Sequence, residues 1–218
     1  MPFLTVLIGI LLEQVLVLSC HARSINWEVN SDWKKGDKVV VLIPGYGGNY
    51  IFFEKLGNYM NGKGYRIVTP DVFDGYGTID SQASKFADII SKSDHEVVII
   101  GHSRGALVGK IVMDNYPEAN KKIEKLISIS APWQGSLIGY LPFLNLNELR
   151  PDSVVIGKLN EAKDNWDKIV GYKAKYDDRV IPNSGLEIDR LDIKTIEVVG
   201  HSRILFDDQL LKDLEGVI

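Results

Sequence analysis

Gly101-His102-Ser103-Arg104-Gly105 sets a serine hydroxyl between two glycines. A serine acts as a nucleophile when a neighbouring base takes its proton during attack. The Gly-x-Ser-x-Gly spacing suits that chemistry where a strand runs directly into a helix. The sharp turn strains the serine, leaves its Oγ exposed and uses the flanking glycines for room. The helix that follows points its first backbone N–H groups at the reacting centre. The bland role for Ser103 is a helix cap in a Gly-rich turn. Gly-His-Ser-Arg recurs from Gly200 to Arg203, but Ile204 stands where the second glycine would be. Ser202 is therefore not read as a nucleophile.

The surrounding pattern supplies the strand and the helix. Glu96 to Ile100 is an apolar β-branched run, and Ala106 to Tyr116 reads as a helix ended by Pro117. Lys38 to Ile43 is another unbroken apolar run, which fits a strand covered on both faces. Helices are expected over Tyr50 to Gly62, Ile79 to Ser93, Val154 to Asp167 and Ile204 to Leu214. Further strands are expected over Tyr65 to Thr69, Ile123 to Ile129, Ile169 to Tyr176 and Thr195 to Val199. Asn26 to Asp37, with Trp27 and Trp33, reads as a short strand or lead-in, and Gly135 to Asp152 has no clean period. Strands alternating with helices predict an α/β domain with a mostly parallel central sheet and helices on both faces.

These motifs, in this order, resemble the α/β-hydrolase superfamily, and within it the lipase and esterase group of serine hydrolases. The resemblance covers roughly Val39 to Leu211. It implies the α/β-hydrolase fold and cleavage of carboxylic esters through an acyl-enzyme. Pro44-Gly45-Tyr46-Gly47-Gly48 matches the family's oxyanion loop, which implies the backbone N–H of Tyr46 as one donor and that of Arg104 as the other. Tyr176-Asp177-Asp178-Arg179-Val180-Ile181-Pro182 matches the context of the family's acid. That alignment selects Asp178, with Asp177 as the alternative if the strand ends one residue earlier. Gly200-His201 matches the position of the general base. The order Ser103, Asp178, His201 is the family's order. Ser130 to Ser136 resembles a stretch in lipases and lecithin:cholesterol-acyltransferase-like enzymes, which implies Trp133 as a substrate contact; a core tryptophan is the other reading. Thioesterase or acyltransferase chemistry on the same fold, and a non-catalytic binding protein, are the alternatives.

The chain has 218 residues and a net charge of -4, which fits one domain without a basic surface, so nucleic acid is not an expected partner. Its single Cys provides no disulfide framework, and no metal or organic cofactor is expected. Phe3 to Leu18 is nearly unbroken apolar sequence, interrupted at Glu13-Gln14. Residues 1–22 are therefore set apart as a hydrophobic leader, and residues 26–218 as the hydrolase domain. The leader reads as a signal peptide or anchor, with Val17-Leu18-Ser19-Cys20 similar to a lipoprotein cleavage box. The absence of a basic residue before the run, and Glu13 inside it, favour instead a helix packed on the domain or lying on a membrane surface. The expected location is secreted or membrane-associated, with a cytoplasmic alternative. The expected partner is a small-molecule or lipid ester. Leu137 to Leu149 is read either as a short lid over an acyl pocket or as a packed loop.

Overall fold

The computed structural model describes residues 3–25, 34, 36–71 and 74–218. Most of the expected lead-in, including Trp27 and Trp33, lies outside them. The chain runs α1 (Phe3–Ser24), β1 (Lys38–Ile43), α2 (Glu54–Gly62), β2 (Tyr65–Val68), α3 (Ile79–Ser91), β3 (Val97–His102) and α4 (Arg104–Asn115). It continues with α5 (Pro117–Asn120), β4 (Ile123–Ile129), α6 (Val154–Glu161), β5 (Ile169–Tyr176), β6 (Ile193–Val199) and α7 (Asp208–Glu215). The six strands form one sheet in the order β2-β1-β3-β4-β5-β6. Every pairing is parallel.

The apolar strand runs follow from burial on both faces. In β1, Val39, Val41 and Ile43 join a core with α3, α4 and α6. Val40 and Leu42 point the other way, into a core with α2 and α7. Burying each such side chain stabilises by about 1.5–3 kcal/mol, which compensates for the entropy of ordering a parallel sheet. The strand order reverses at β1, which lies between β2 and β3. Ligand crevices in open α/β sheets lie beyond the carboxyl ends of strands at such a point.

Several helices differ from the sequence expectation; the one over Tyr50–Gly62 opens with a 3-10 turn, Tyr50–Phe53, before α2. The helix after Ser103 begins at Arg104 rather than Ala106, flush with the turn. The expected Val154–Asp167 helix stops at Glu161; Asn165 then takes a left-handed conformation (φ 64°), and Trp166–Lys168 is a separate 3-10 turn. Asparagine tolerates that region better than most residues. The closing helix is also split: Arg203–Phe206 is a 3-10 turn, and Asp207 then caps α7 by accepting from the Gln209 N–H at 2.8 Å.

The hydrophobic leader is a helix of 22 residues lying against the domain. Gly9 sits so close to β6 that a Cβ there would lie 2.4 Å from the Val199 Cβ. Glu13 and Cys20 are buried, whereas Leu4, Leu11, Val15 and Leu18 are exposed on the outer side. Among the described residues, Leu4–Ser24 is the one segment long and apolar enough to cross a membrane by length and composition.

Candidate active site

Ser103 occupies the turn between β3 and α4 with φ 53° and ψ -126°. Holding a non-glycine residue there costs about 1–3 kcal/mol and persists only where packing imposes it. The packing is tight on both sides of the turn. A Cβ at Gly101 would lie 2.6 Å from the Ala106 backbone, and one at Gly105 would lie 2.0 Å from the Ile43 carbonyl oxygen. The Ser103 N–H donates to the Ile129 carbonyl at 2.8 Å, so the sheet ladder holds the turn from β4.

The β1–α2 connection passes over the serine. Ile43 is in register with Gly101, and a Cβ on Gly45 would come within 2.9 Å of the Ser103 Cβ. Tyr46 follows and lines the same cavity as Ser103. Arg104 is the first residue of α4, so its N–H has no acceptor inside the helix. The fully buried Arg104 side chain is an anchor. Its guanidinium donates to the carbonyls of Gly77 at 2.6 Å and Gly75 at 3.0 Å, and lies 5.2 Å from the Tyr46 ring centroid. Gly75 also accepts from the Gly47 N–H at 2.9 Å. One buried cation thus ties the turn after β2 to the loop that carries Tyr46.

His201 follows β6, and its Nδ1 lies 2.7 Å from the Asp177 Oδ2. The other Asp177 oxygen accepts from the N–H groups of Arg179 (2.8 Å) and Val180 (2.9 Å). Asn183 closes the loop, donating to the Asp177 carbonyl at 2.8 Å and accepting from its N–H at 3.1 Å. Burial alone would push the Asp177 carboxyl up, yet His201 and the two N–H groups hold it below the usual range. Burial likewise works against charging His201, but Asp177, with Glu13 and Asp178 further off, raises it above its ordinary value.

Asp178 was the expected partner of the imidazole, and the geometry puts it elsewhere. Its Oδ1 accepts from the His201 backbone N–H at 3.0 Å, and its Oδ2 from Gln14 at 3.0 Å. The reason is the strand end. β5 shifts register between Ala174 and Tyr176, Tyr176 pairs with Val199, and Gly200 donates to the Tyr176 carbonyl at 2.8 Å. Asp177 is thereby the first residue past the ladder and faces the imidazole, while Asp178 faces the backbone.

Trp133 also departs from its expected place. It is buried in the core, ring to ring with Trp166 at 5.2 Å, and is not among the residues that line the cavity around Ser103. Nearby Ser136 supports the loop that carries Asp177 instead. The Ser136 hydroxyl donates to the Arg179 carbonyl at 2.8 Å and accepts from the Ile181 N–H at 3.0 Å.

Ser103 and His201 line one cavity of about 390 Å³. Its walls are largely apolar, with Phe52 and Phe53 on one side and Ile138, Leu141 and Phe143 on another. The last three come from the Leu137–Leu149 segment, which holds two 3-10 turns rather than a helix and is fastened where the Tyr46 hydroxyl donates to the Leu144 carbonyl. His102 lines the cavity too. Its Nε2 donates to the His201 carbonyl at 3.0 Å, and burial lowers its pKa to about 3, so the ring is a neutral brace. Among the described residues, no group of three or more His, Cys, Asp or Glu side chains is arranged to hold a metal ion.

With the geometry in place, the chain can be set beside known proteins. The family profile of Lecithin:cholesterol acyltransferase matches residues 82–144, which include the Ser103 turn. No curated protein matches the sequence. The structure is similar to that of Aspergillus fumigatus lipase B (TM-score 0.67, 16% identity), covering 84% of this chain and 54% of that one. It is similar to Bacillus licheniformis lipase BlEst2 in its mature form (TM-score 0.65, 12% identity), covering 87% and 94% respectively. It is also similar to the esterase EaEST of Exiguobacterium antarcticum (TM-score 0.58, 18% identity), covering 84% and 92%. The chain spans about half the length of lipase B. The chain has the α/β-hydrolase fold, and these structural neighbours are lipases and esterases.

Proposed function

We propose that the protein is a serine hydrolase of carboxylic esters, with Ser103 as nucleophile, His201 as general base and Asp177 as the acid that orients it. One observation carries the reading: the strained Ser103 and an imidazole held by a buried carboxylate share one largely apolar cavity. The Nδ1 contact to Asp177 leaves Nε2 as the proton acceptor. Ser103 Oγ attacks the ester carbonyl while His201 Nε2 takes the hydroxyl proton. The carbonyl oxygen becomes an oxyanion that receives the backbone N–H groups of Tyr46 and Arg104. The tetrahedral intermediate collapses, the C–O bond breaks, and the imidazolium returns the proton to the leaving alkoxide. Water repeats the sequence on the acyl-enzyme, releasing the acid and restoring Ser103.

The apolar lining favours esters with an acyl chain or other lipid-like acid part. The exposed apolar side of α1 and the exposed Leu137, Leu141, Phe143 and Leu144 support work at a membrane surface, on either side of secretion. A fluorophosphonate probe tests the chemistry. The wild-type protein is expected to be labelled at Ser103, and Ser103→Ala to be unlabelled and inactive with its fold intact. A folded wild-type chain that takes no label favours the binding-protein reading. A p-nitrophenyl ester panel from acetate to palmitate reads the acyl preference. The match to an acyltransferase family favours one second reading, transfer of the acyl group to an acceptor alcohol. Product analysis with a long-chain alcohol present distinguishes transfer from hydrolysis.

A further inference from the structure

The least ordinary group near the site is a carboxylate inside the apolar leader. Glu13 has no exposed surface. Its Oε1 accepts from the Ser202 N–H at 2.8 Å and its Oε2 from the Arg203 N–H at 2.9 Å. Those are the two residues after His201. The approach leaves no slack at the turn: Gly200 has φ 119°, and a Cβ on it would lie 2.5 Å from the Glu13 Oε2. One residue on, the Gln14 amide donates to Asp178 at 3.0 Å and accepts from Arg179 at 2.9 Å. The Arg203 guanidinium binds the Val199 carbonyl at 2.9 Å and reaches the Gly9 carbonyl of α1 at 3.4 Å.

The His201 backbone is therefore held on three sides. Asp178 takes its N–H, His102 meets its carbonyl, and Glu13 takes the next two N–H groups. A charged side chain costs about 2.5–3.5 kcal/mol at the centre of a membrane-spanning helix, and Glu13 here has two donors waiting in the folded domain. Placing an imidazole within the tolerance that proton transfer needs requires such a supporting shell.

We propose that Glu13, with Gln14, is a positioning residue for His201 and its acid loop, so that α1 is a working part of the enzyme rather than a segment discarded before it acts. The proposal rests on the hydrolase reading above. The carboxylate of Glu13 also favours a positive His201, as do Asp177 and Asp178; Arg179, Arg203, His102 and, from α1, His21 are further titratable groups on the elements around the ring among the described residues.

The test uses the full chain, a soluble p-nitrophenyl ester and the fluorophosphonate probe. Glu13→Ala is expected to lower kcat and the labelling rate about ten- to hundredfold with KM little changed, as displacement of a general base does. Glu13→Gln keeps the shape and one acceptor. It is expected to recover part of kcat and to move the acid limb of the kcat/KM profile to lower pH, since a negative charge near the imidazolium is gone. Gln14→Leu, which breaks the second brace at nearly constant volume, is expected to lower kcat less. It and Glu13→Gln carry the test if Glu13→Ala does not fold. Intact-mass analysis of the active protein from its native host is expected to show α1 still attached. A folded Glu13→Ala with wild-type kcat and an unmoved pH profile overturns the positioning role alone, as does full turnover by a native chain that lacks α1. Wild-type protein that takes no label overturns the hydrolase reading, and the positioning role with it.

Discussion

Asp177 and Asp178 are adjacent, both acidic and both hydrogen-bonded to His201, so exchanging each in turn separates their roles. Asp177→Asn keeps the volume and keeps an oxygen for the N–H groups of Arg179 and Val180, which lie 2.8 and 2.9 Å from Oδ1. The second position becomes an NH2 facing Nδ1 at 2.7 Å, and an NH2 cannot accept the Nδ1 proton. The imidazole must then carry its proton on Nε2, where Ser103 needs an acceptor. The same substitution in the chymotrypsin-type triad leaves the geometry intact and lowers kcat about 10⁴-fold, and a similar loss, about 5 kcal/mol in the barrier, is expected here.

Asp178→Asn acts on a different bond. Its Oδ1 accepts from the His201 backbone N–H at 3.0 Å, and an amide oxygen can do the same. The change removes a charge beside Arg179 and alters the contact with Gln14, each worth about 1 kcal/mol of stability and neither on the reacting atoms, so kcat is expected to fall less than about tenfold. Steady-state kcat on a p-nitrophenyl ester, with near-ultraviolet circular dichroism to verify the fold, reads both variants. If Asp178→Asn is the more damaging change, or Asp177→Asn keeps more than a tenth of wild-type kcat, the assignment of the acid is refuted.

Because the folded pKa of His201 is raised above 6.5 and the base must be neutral, kcat/KM is expected to fall with acidity along a limb whose midpoint lies above pH 6.5. A pH–rate profile with its midpoint below that value contradicts the electrostatic account. His102 acts in the opposite sense on stability: the folded ring stays neutral until about pH 3, whereas the unfolded ring takes a proton near 6.5. Its stabilising share is present above pH 6.5 and lost between there and about pH 3, so thermal melts of His102→Gln are expected to lose less stability over that window than wild type. Trp133→Ala is expected to destabilise by about 3–5 kcal/mol with the acyl-chain preference unchanged, since the indole fills the core beside Trp166. Denaturant titration and the ester panel measure the two halves of that statement.

The strand-to-helix turn at Ser103 was legible because two local signals agree at one residue. An apolar β-branched run ends where a Gly-x-Ser-x-Gly begins, and both the buried strand and the strained turn are consequences of those few side chains. The parallel sheet was legible for the same reason, from apolar runs alternating with helical periods. The carboxylate that meets the His201 ring was not, since that depends on a register shift in β5 that makes Tyr176, rather than Asp177, the last paired residue. A bulge of that kind has no spacing signature in one strand; it is set by how β6 lies beside it. Trp133 was misplaced because a loop motif locates the backbone but not the side of the loop on which a side chain is buried.

The leader shows a different limit. Its sequence is apolar nearly all round, so periodicity could not say which side faces the protein. The structure buries Glu13 with Cys20, packs Leu16 and Val17 against the core and leaves Leu4, Leu11, Val15 and Leu18 outside, so an acidic side chain lies on the inner side of the helix while apolar ones stay exposed. Hydrophobic burial alone would have turned those leucines inward. What opposes it is a pair of charge-assisted hydrogen bonds to the turn after His201, made by a carboxylate that would otherwise be buried unpaired. Glu13, which in the sequence argued only against a transmembrane or signal segment, thus helps, with Gln14, to specify how the helix sits. That orientation presents the apolar side outward beside the mouth of the cavity, where Val17 and His21 of α1 form part of its wall.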